Sequence, residues 1–130
     1  MSLMDPIADA LVQIKNAEDA SKKECTIMHG SNFFGEVLKT MKEHEYIAGF
    51  EKKSSGTIIS YTVKLSGKIN NCKAVKPRYA VKKDGYEKYE KRYLPARDIG
   101  LLIVSTPQGV MSHSAAKSKG IGGRLVAFVY

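Results

Sequence analysis

Apolar positions along this chain change their spacing several times, and each change predicts an element. Ile7, Leu11, Val12 and Ile14 recur at helical intervals, with Ala8, Ala10 and Ala17 favouring the same state. Asp5-Pro6 is a suitable opening for that helix, Asp as N-cap and Pro at the first helical position. Cys25 to Met28 reads as a strand, after which His29-Gly30 turns the chain. Ser31 or Asn32 can cap a second helix, in which Phe34, Val37, Leu38 and Met41 form one apolar stripe of core type. Tyr46 to Phe50 predicts a strand and Lys53-Ser54-Ser55-Gly56 a hairpin turn. Thr57 to Leu65 then alternates, with Ile59, Tyr61, Val63 and Leu65 on one face. The first half thus reads helix, strand, helix, strand, strand.

The pattern breaks at Ser66-Gly67-Lys68, and Asn70-Asn71 continues as loop, so a soft boundary falls between Leu65 and Cys72. We divide the chain into an N-terminal α/β subdomain, 1–66, and a C-terminal, mainly β subdomain with short helices, 67–130. Asp84-Gly85 is a turn. On a short helix after it, Tyr86, Tyr89 and Tyr93 share one face. Asp98-Ile99-Gly100 leads into Leu101 to Val104, a short, uncharged, wholly apolar run ending in β-branched residues, typical of a buried strand. That strand stops at the turn Ser105-Thr106-Pro107-Gln108-Gly109. Ser112 can cap a helix through Lys119, and Gly120 ends it in the C′ manner. Ile121-Gly122-Gly123 makes a tight turn before a closing strand from Leu125 to Tyr130. The fold class is α+β, built of two small α/β subdomains.

Charge changes the picture more than composition does. The 130 residues carry a net charge of +8. Residues 1–50 hold 5 basic and 8 acidic side chains, residues 51–100 hold 13 and 5, and residues 101–130 hold 3 and 0. The positive field therefore belongs to the second half, which points to nucleic acid or another anionic surface, or else to a solvated lysine-rich face. Tryptophan is absent, and no apolar run is long enough to span a bilayer. The opening residues lack the basic and apolar regions of a secretory signal. Cys25 and Cys72 lie far apart, as reduced thiols of an intracellular protein would.

Catalytic and metal chemistries find little support. There is no Walker-type phosphate loop, and Gly120-Ile121-Gly122-Gly123 precedes a strand, unlike a dinucleotide fingerprint. His29, His44 and His113 are scattered, so no metal site is expected. Ser112-His113-Ser114 places a base between two hydroxyls, but no acidic residue occurs after Asp98 to orient it nearby. No cofactor and no enzymatic activity are expected. The turn from Ser105 to Gly109 presents small neutral donors and acceptors, and the only charges between Gly100 and Arg124 are Lys117, Lys119 and Arg124. Near the end of the first helix, Lys15 either touches phosphate or is only a favourable end charge. The tyrosines among Lys88, Lys91 and Arg92 either stack bases or cover the sheet. Cover suits Tyr89 and Tyr93, and contact suits Tyr86, beside the turn.

Gly100-Leu-Leu-Ile-Val-Ser-Thr-Pro-Gln-Gly-Val-Met, followed by Ala116-Lys117, resembles the signature of the small-subunit ribosomal protein eight family. Asp5-Pro-Ile-Ala-Asp9, Lys15-Asn16-Ala17 and the Gly-x-Gly-Gly turn before an apolar strand ending in an aromatic fall in the family's order, so the resemblance spans nearly the whole chain. It implies an RNA-binding protein that recognises an internally looped helix in the central domain of small-subunit rRNA and supports subunit assembly. It also implies neighbouring small-subunit proteins as partners, a monomeric state off the ribosome, and a cytoplasmic, ribosomal location. Ser105 and Thr106 match the family's principal RNA-contacting pair, in a loop shaped by Pro107, Gln108 and Gly109. Lys117 and Lys119 would then supply phosphate contacts around it, and Tyr86 falls near an aromatic that packs on RNA. Lys15, Asn16, Gly122, Gly123 and Arg124 complete the implied RNA-binding set. Arg124 replaces a glutamate of bacterial members, and the stretch from Lys68 to Arg97 is longer and more basic than theirs; both features resemble the archaeal and eukaryotic branch. The rivals are a small RNA-processing or RNA-modifying enzyme, and a protein-interaction module with an incidental basic face.

Overall fold

In a computed structural model, residues 6–28, 30–96 and 99–130 are described. The expected cap at Asp5, the turn residue His29, and Arg97 and Asp98 lie outside them. The chain forms two compact units, one extending to Asn71 and the other from Cys72 to Tyr130.

In the first unit, α1 (Pro6–Asp19) buries Ile7, Ala10, Leu11, Ile14 and Ala17. Val12, placed in that series by its spacing, is 52% exposed. It stands one position from Leu11 and so about 100° around the helix, off the buried face. The strand β1 (Glu24–Ile27) follows, then α2 (Asn32–Glu43), whose N-cap is Ser31: its Oγ accepts from the Phe34 amide at 3.1 Å. Phe34, Val37, Leu38 and Met41 are all buried, as the stripe required. The strands β2 (Ile47–Ser55) and β3 (Ile58–Leu65) pair in register to Ser55↔Ile58. The hairpin turn is thus Gly56-Thr57, shorter than the sequence suggested. Lys53, Ser54 and Ser55 remain in the ladder because exposed polar residues complete backbone bonds as well as apolar ones do. The sheet is antiparallel in the order β1-β3-β2. Beyond β3, the Ile69 amide donates to Glu18 at 2.9 Å, tying that segment to α1.

The second unit is an antiparallel sheet in the order β4-β8-β6-β7, with β5 also paired to β8. Its strands are β4 (Cys72–Ala74), β5 (Ala80–Val81), β6 (Leu101–Thr106), β7 (Gly109–Ser112) and β8 (Gly123–Val129). The pieces β4 and β5 fall inside the lysine-rich stretch, where no alternation announced them. They share one edge of β8, pairing with its second half and its first residues respectively. Helix α3 (Tyr86–Tyr93) and helix α4 (His113–Lys119) both pack against β6. Leu102, Val104, Leu125, Phe128, Val75, Val81, Tyr86 and Ala116 make the core. Ser112 caps α4 through its Oγ, and Gly120 ends it in the left-handed conformation at φ 66°, both as expected. The fold class is α+β with two subdomains, as the hydrophobic pattern indicated.

Candidate nucleic-acid interface

The buried run that opens β6 does not stop at Val104. Ser105 and Thr106 continue the strand, and Pro107-Gln108 is the whole turn, because Thr106 pairs with Gly109 across it. A further strand, β7, follows before the helix expected from Ser112. The turn residues Pro107-Gln108-Gly109, with apolar Val110 and Met111 next, were a usable hairpin signal. Thr106 is only 9% exposed. Its Oγ1 donates to the Gly109 carbonyl at 2.7 Å and accepts from the Gln108 amide at 3.1 Å. That hydroxyl is spent inside the hairpin. Thr106 therefore shapes the loop, while the half-exposed Ser105 and the exposed Pro107 and Gln108 face outward.

The start of β8 lies against this hairpin. Arg124 is opposite Ser105 on one side and Ala80 on the other, so all three side chains share one face. The exposed Arg124 reaches the Arg78 carbonyl at 3.5 Å. Gly123 belongs to the strand and not to the tight turn expected at Ile121-Gly122-Gly123. A Cβ on Gly123 would fall 2.4 Å from the Ser105 carbonyl, and one on Gly122 2.3 Å from that of Val81. Both glycines let neighbouring backbones close together, which brings Ser105 and Arg124 side by side. So Ser105 to Gly109 and Gly122 to Arg124 gather at one end of this sheet. Lys119, in the last turn of α4, precedes them by a few residues of chain.

Lys117 goes elsewhere. Its Nζ lies 2.6 Å from Glu90 Oε2, in a cleft of about 590 Å³ lined by Lys83, Asp84, Glu87, Glu90, Lys91 and others, none from the hairpin. The other oxygen of Glu90 meets His113 Nε2 at 3.1 Å, and His113 Nδ1 accepts from the buried Leu102 amide at 3.0 Å. This bond requires an unprotonated Nδ1, so the imidazole is neutral and Nε2 donates to Glu90. Burial pushes the His113 pKa down, and Lys117 adds to that, against the opposing pull of Glu90. Burial would raise the Glu90 carboxyl, but the bond and charge of Lys117, together with the bond from His113, more than offset it, leaving it below its ordinary value. Nothing in the sequence flagged Glu90. Its partners lie 23 and 27 residues away.

Tyr86 requires a correction. Its ring is 0% exposed and its hydroxyl donates to the Ile121 carbonyl at 3.0 Å. Beside the turn it points into the core, with no open face for RNA. Tyr89 and Tyr93, expected as cover, are half-buried at the surface. Lys15 and Asn16 stand on α1 in the other unit. Lys15 pairs with Asp19 at 2.8 Å, and Asn16 lines a hollow of about 380 Å³ with Gln13, Lys22 and Cys25 among others. The described residues include no helix long and apolar enough to cross a membrane.

Compared with known protein families, residues 5–130 match the family described as Ribosomal protein S8. The match takes in both units and every element described above. Proteins of this family are structural constituents of the ribosome and not enzymes; they bind small-subunit rRNA beside other ribosomal proteins. The chain belongs to the ribosomal protein S8 family and is an RNA-binding protein of the small ribosomal subunit.

Proposed function

We propose that this protein recognises an internally looped helix in the central domain of small-subunit rRNA, and that it supports assembly of that domain. In this reading the discriminating surface is the hairpin end of the second unit. One observation carries it: Ser105 and Arg124 stand directly opposite each other in the sheet, next to a turn whose backbone Thr106 holds in place. A hydroxyl, a guanidinium and an exposed amide side chain on a rigid edge suit the wide, shallow minor groove of A-form RNA, which offers 2′-hydroxyls and base edges. Ser105, Gln108 and the backbone of Gly109, Gly122 and Gly123 meet the RNA there, and Pro107 stiffens the turn. Arg124 and Lys119 neutralise phosphates. Lys117 contributes only where phosphate competes with Glu90 for its ammonium group. Lys15 and Asn16 offer a second contact from the first unit. The protein acts as a cytoplasmic monomer before it joins the ribosome.

Competition binding at near-physiological salt tests this reading. A central-domain rRNA helix is set against unrelated duplex RNA of equal length. Tighter binding of the former supports it; equal affinities overturn it, because phosphate attraction alone is sequence-independent and steeply salt-dependent.

A further inference from the structure

The second unit also carries a ladder of rings and cations that the hairpin does not use. Lys88 Nζ lies 5.5 Å from the centre of the Tyr89 ring, and Tyr89 lies 5.4 Å from Tyr79. The Arg92 guanidinium sits 5.3 Å from the centres of both Tyr79 and Tyr93. Tyr93 then stacks on Phe128 at 5.5 Å, and Phe128 on Tyr130 at 6.0 Å. Phe128 is buried and belongs to the core, whereas Tyr79, Tyr89 and Tyr93 are half-buried around it.

Two features distinguish this ladder from a simple lid on the core. First, Lys88 and Arg92 are exposed and have no carboxylate partner among the described residues, although Lys91 on the same helix pairs with Glu87 at 3.4 Å. Second, the hydroxyls of Tyr79, Tyr89 and Tyr93 make no hydrogen bond among the described residues, so they are left to solvent or a partner. Leucine or phenylalanine would seal the core as well. A surface of flat rings, wet hydroxyls and uncompensated cations fits a partner that is flat, polar at its edges and anionic.

We propose that this face binds unpaired nucleotides of RNA, with bases packing on the Tyr79–Tyr89 rings and the Arg92 guanidinium, and phosphates held by Lys88 and Arg92. The inference rests on the RNA-binding reading but concerns single-stranded nucleotides and a surface other than the hairpin end. An acidic peptide would match the cations but has no use for the ring faces.

The test titrates the full chain with a 12-nucleotide oligouridylate and, separately, with the central-domain helix. The variants are Tyr89→Ala, Tyr89→Phe, Arg92→Gln and, as the hairpin control, Ser105→Ala combined with Gln108→Ala. We expect Tyr89→Ala to weaken oligouridylate binding by about 5- to 100-fold, the range of one base–aromatic stack, with Tyr89→Phe close to the parent. Arg92→Gln should weaken it too, and the hairpin control should not. Photo-crosslinking with 4-thiouridine in the oligonucleotide should place adducts on peptides containing Tyr79 or Tyr89, a readout that survives if Tyr89→Ala fails to fold. Unchanged affinity in a folded Tyr89→Ala together with unchanged Arg92→Gln overturns the proposal, as do adducts confined to other peptides. A parent protein that binds the helix but not oligouridylate also overturns it, and assigns the face to a protein neighbour. If the hairpin control alone loses the helix, the hairpin reading stands independently of this one.

Discussion

A single hydroxyl separates the two roles that residues of the hairpin can have. Ser105 and Thr106 are neighbours of similar chemistry, yet alternation along β6 turns them to opposite faces of the sheet. Thr106 closes the turn with two hydrogen bonds. Thr106→Ala should therefore destabilise the fold, each lost bond costing about 0.5–1.5 kcal/mol, while Thr106→Ser restores most of it. Urea denaturation measures this directly, and equal midpoints for parent and Thr106→Ala would show that the turn does not depend on the hydroxyl. Ser105→Ala should leave stability unchanged within about 0.5 kcal/mol, as a surface substitution does, and weaken only specific RNA binding. The glycines act by their lack of a side chain. Gly123→Ala sets a methyl 2.4 Å from the Ser105 carbonyl, so backbone must shift, at a cost of about 1–3 kcal/mol read as a lowered Tm.

At the scale of elements, Glu90 holds α3 to α4 by accepting from both His113 and Lys117. The sign of the pH dependence follows from both pKa directions. His113 titrates lower in the folded chain than its ordinary 6.5, so on acidification the unfolded chain takes the proton first. Its contribution is complete above about pH 6.5 and is lost as pH falls through the depressed value. Glu90 likewise titrates below its ordinary 4.5, so its contribution is complete above about pH 4.5 and is lost as pH falls through its own depressed value. Stability should thus fall in two stages on acidification, one beginning below about pH 6.5 through His113 and one beginning below about pH 4.5 through Glu90. Glu90→Gln should remove the second stage attributable to this site, and thermal unfolding between pH 8 and pH 3 would show it. A parent and Glu90→Gln protein with parallel profiles below pH 4.5 would contradict this arrangement. Glu90→Gln should also release Lys117 for phosphate, raising non-specific RNA affinity modestly.

For the whole molecule, the proposed function puts electrostatic attraction and discrimination in different places. Of the 21 basic side chains, 13 lie between residues 51 and 100, and the hairpin end itself holds Arg124 with Lys119 nearby. Salt titration should separate these contributions. Lys119→Gln should weaken specific and unrelated RNA alike and lower the slope of log K against log salt by about 0.7–0.9, as expected for one phosphate contact. Ser105→Ala with Gln108→Ala should leave the slope unchanged and reduce only the preference for the central-domain helix. Identical slopes and preferences for the two variants would merge the roles assigned here.

Most of the local elements follow from short-range patterns in the chain. The α2 stripe, its Ser31 cap, the strand from Ile58 to Leu65, the Ser112 cap and the Gly120 stop were legible because capping and hydrophobic periodicity act within a few residues. The turn at Pro107-Gln108 was legible on the same local basis, although Ser105, Thr106 and Gly109 belong to the strands on either side of it. Tertiary structure decided which groups those elements spend on one another. The inward turn of Tyr86, the binding of Lys117 by Glu90 and the close approach of Gly122 and Gly123 to neighbouring backbone each join residues far apart in the chain. Such pairings depend on strand order and helix placement, and no periodicity along the chain encodes which partner a buried hydroxyl or a surface lysine will meet. The short strands β4 and β5 are of the same kind: at three and two residues they are too short to show a period, and they become strands because β8 leaves an edge whose backbone groups need partners.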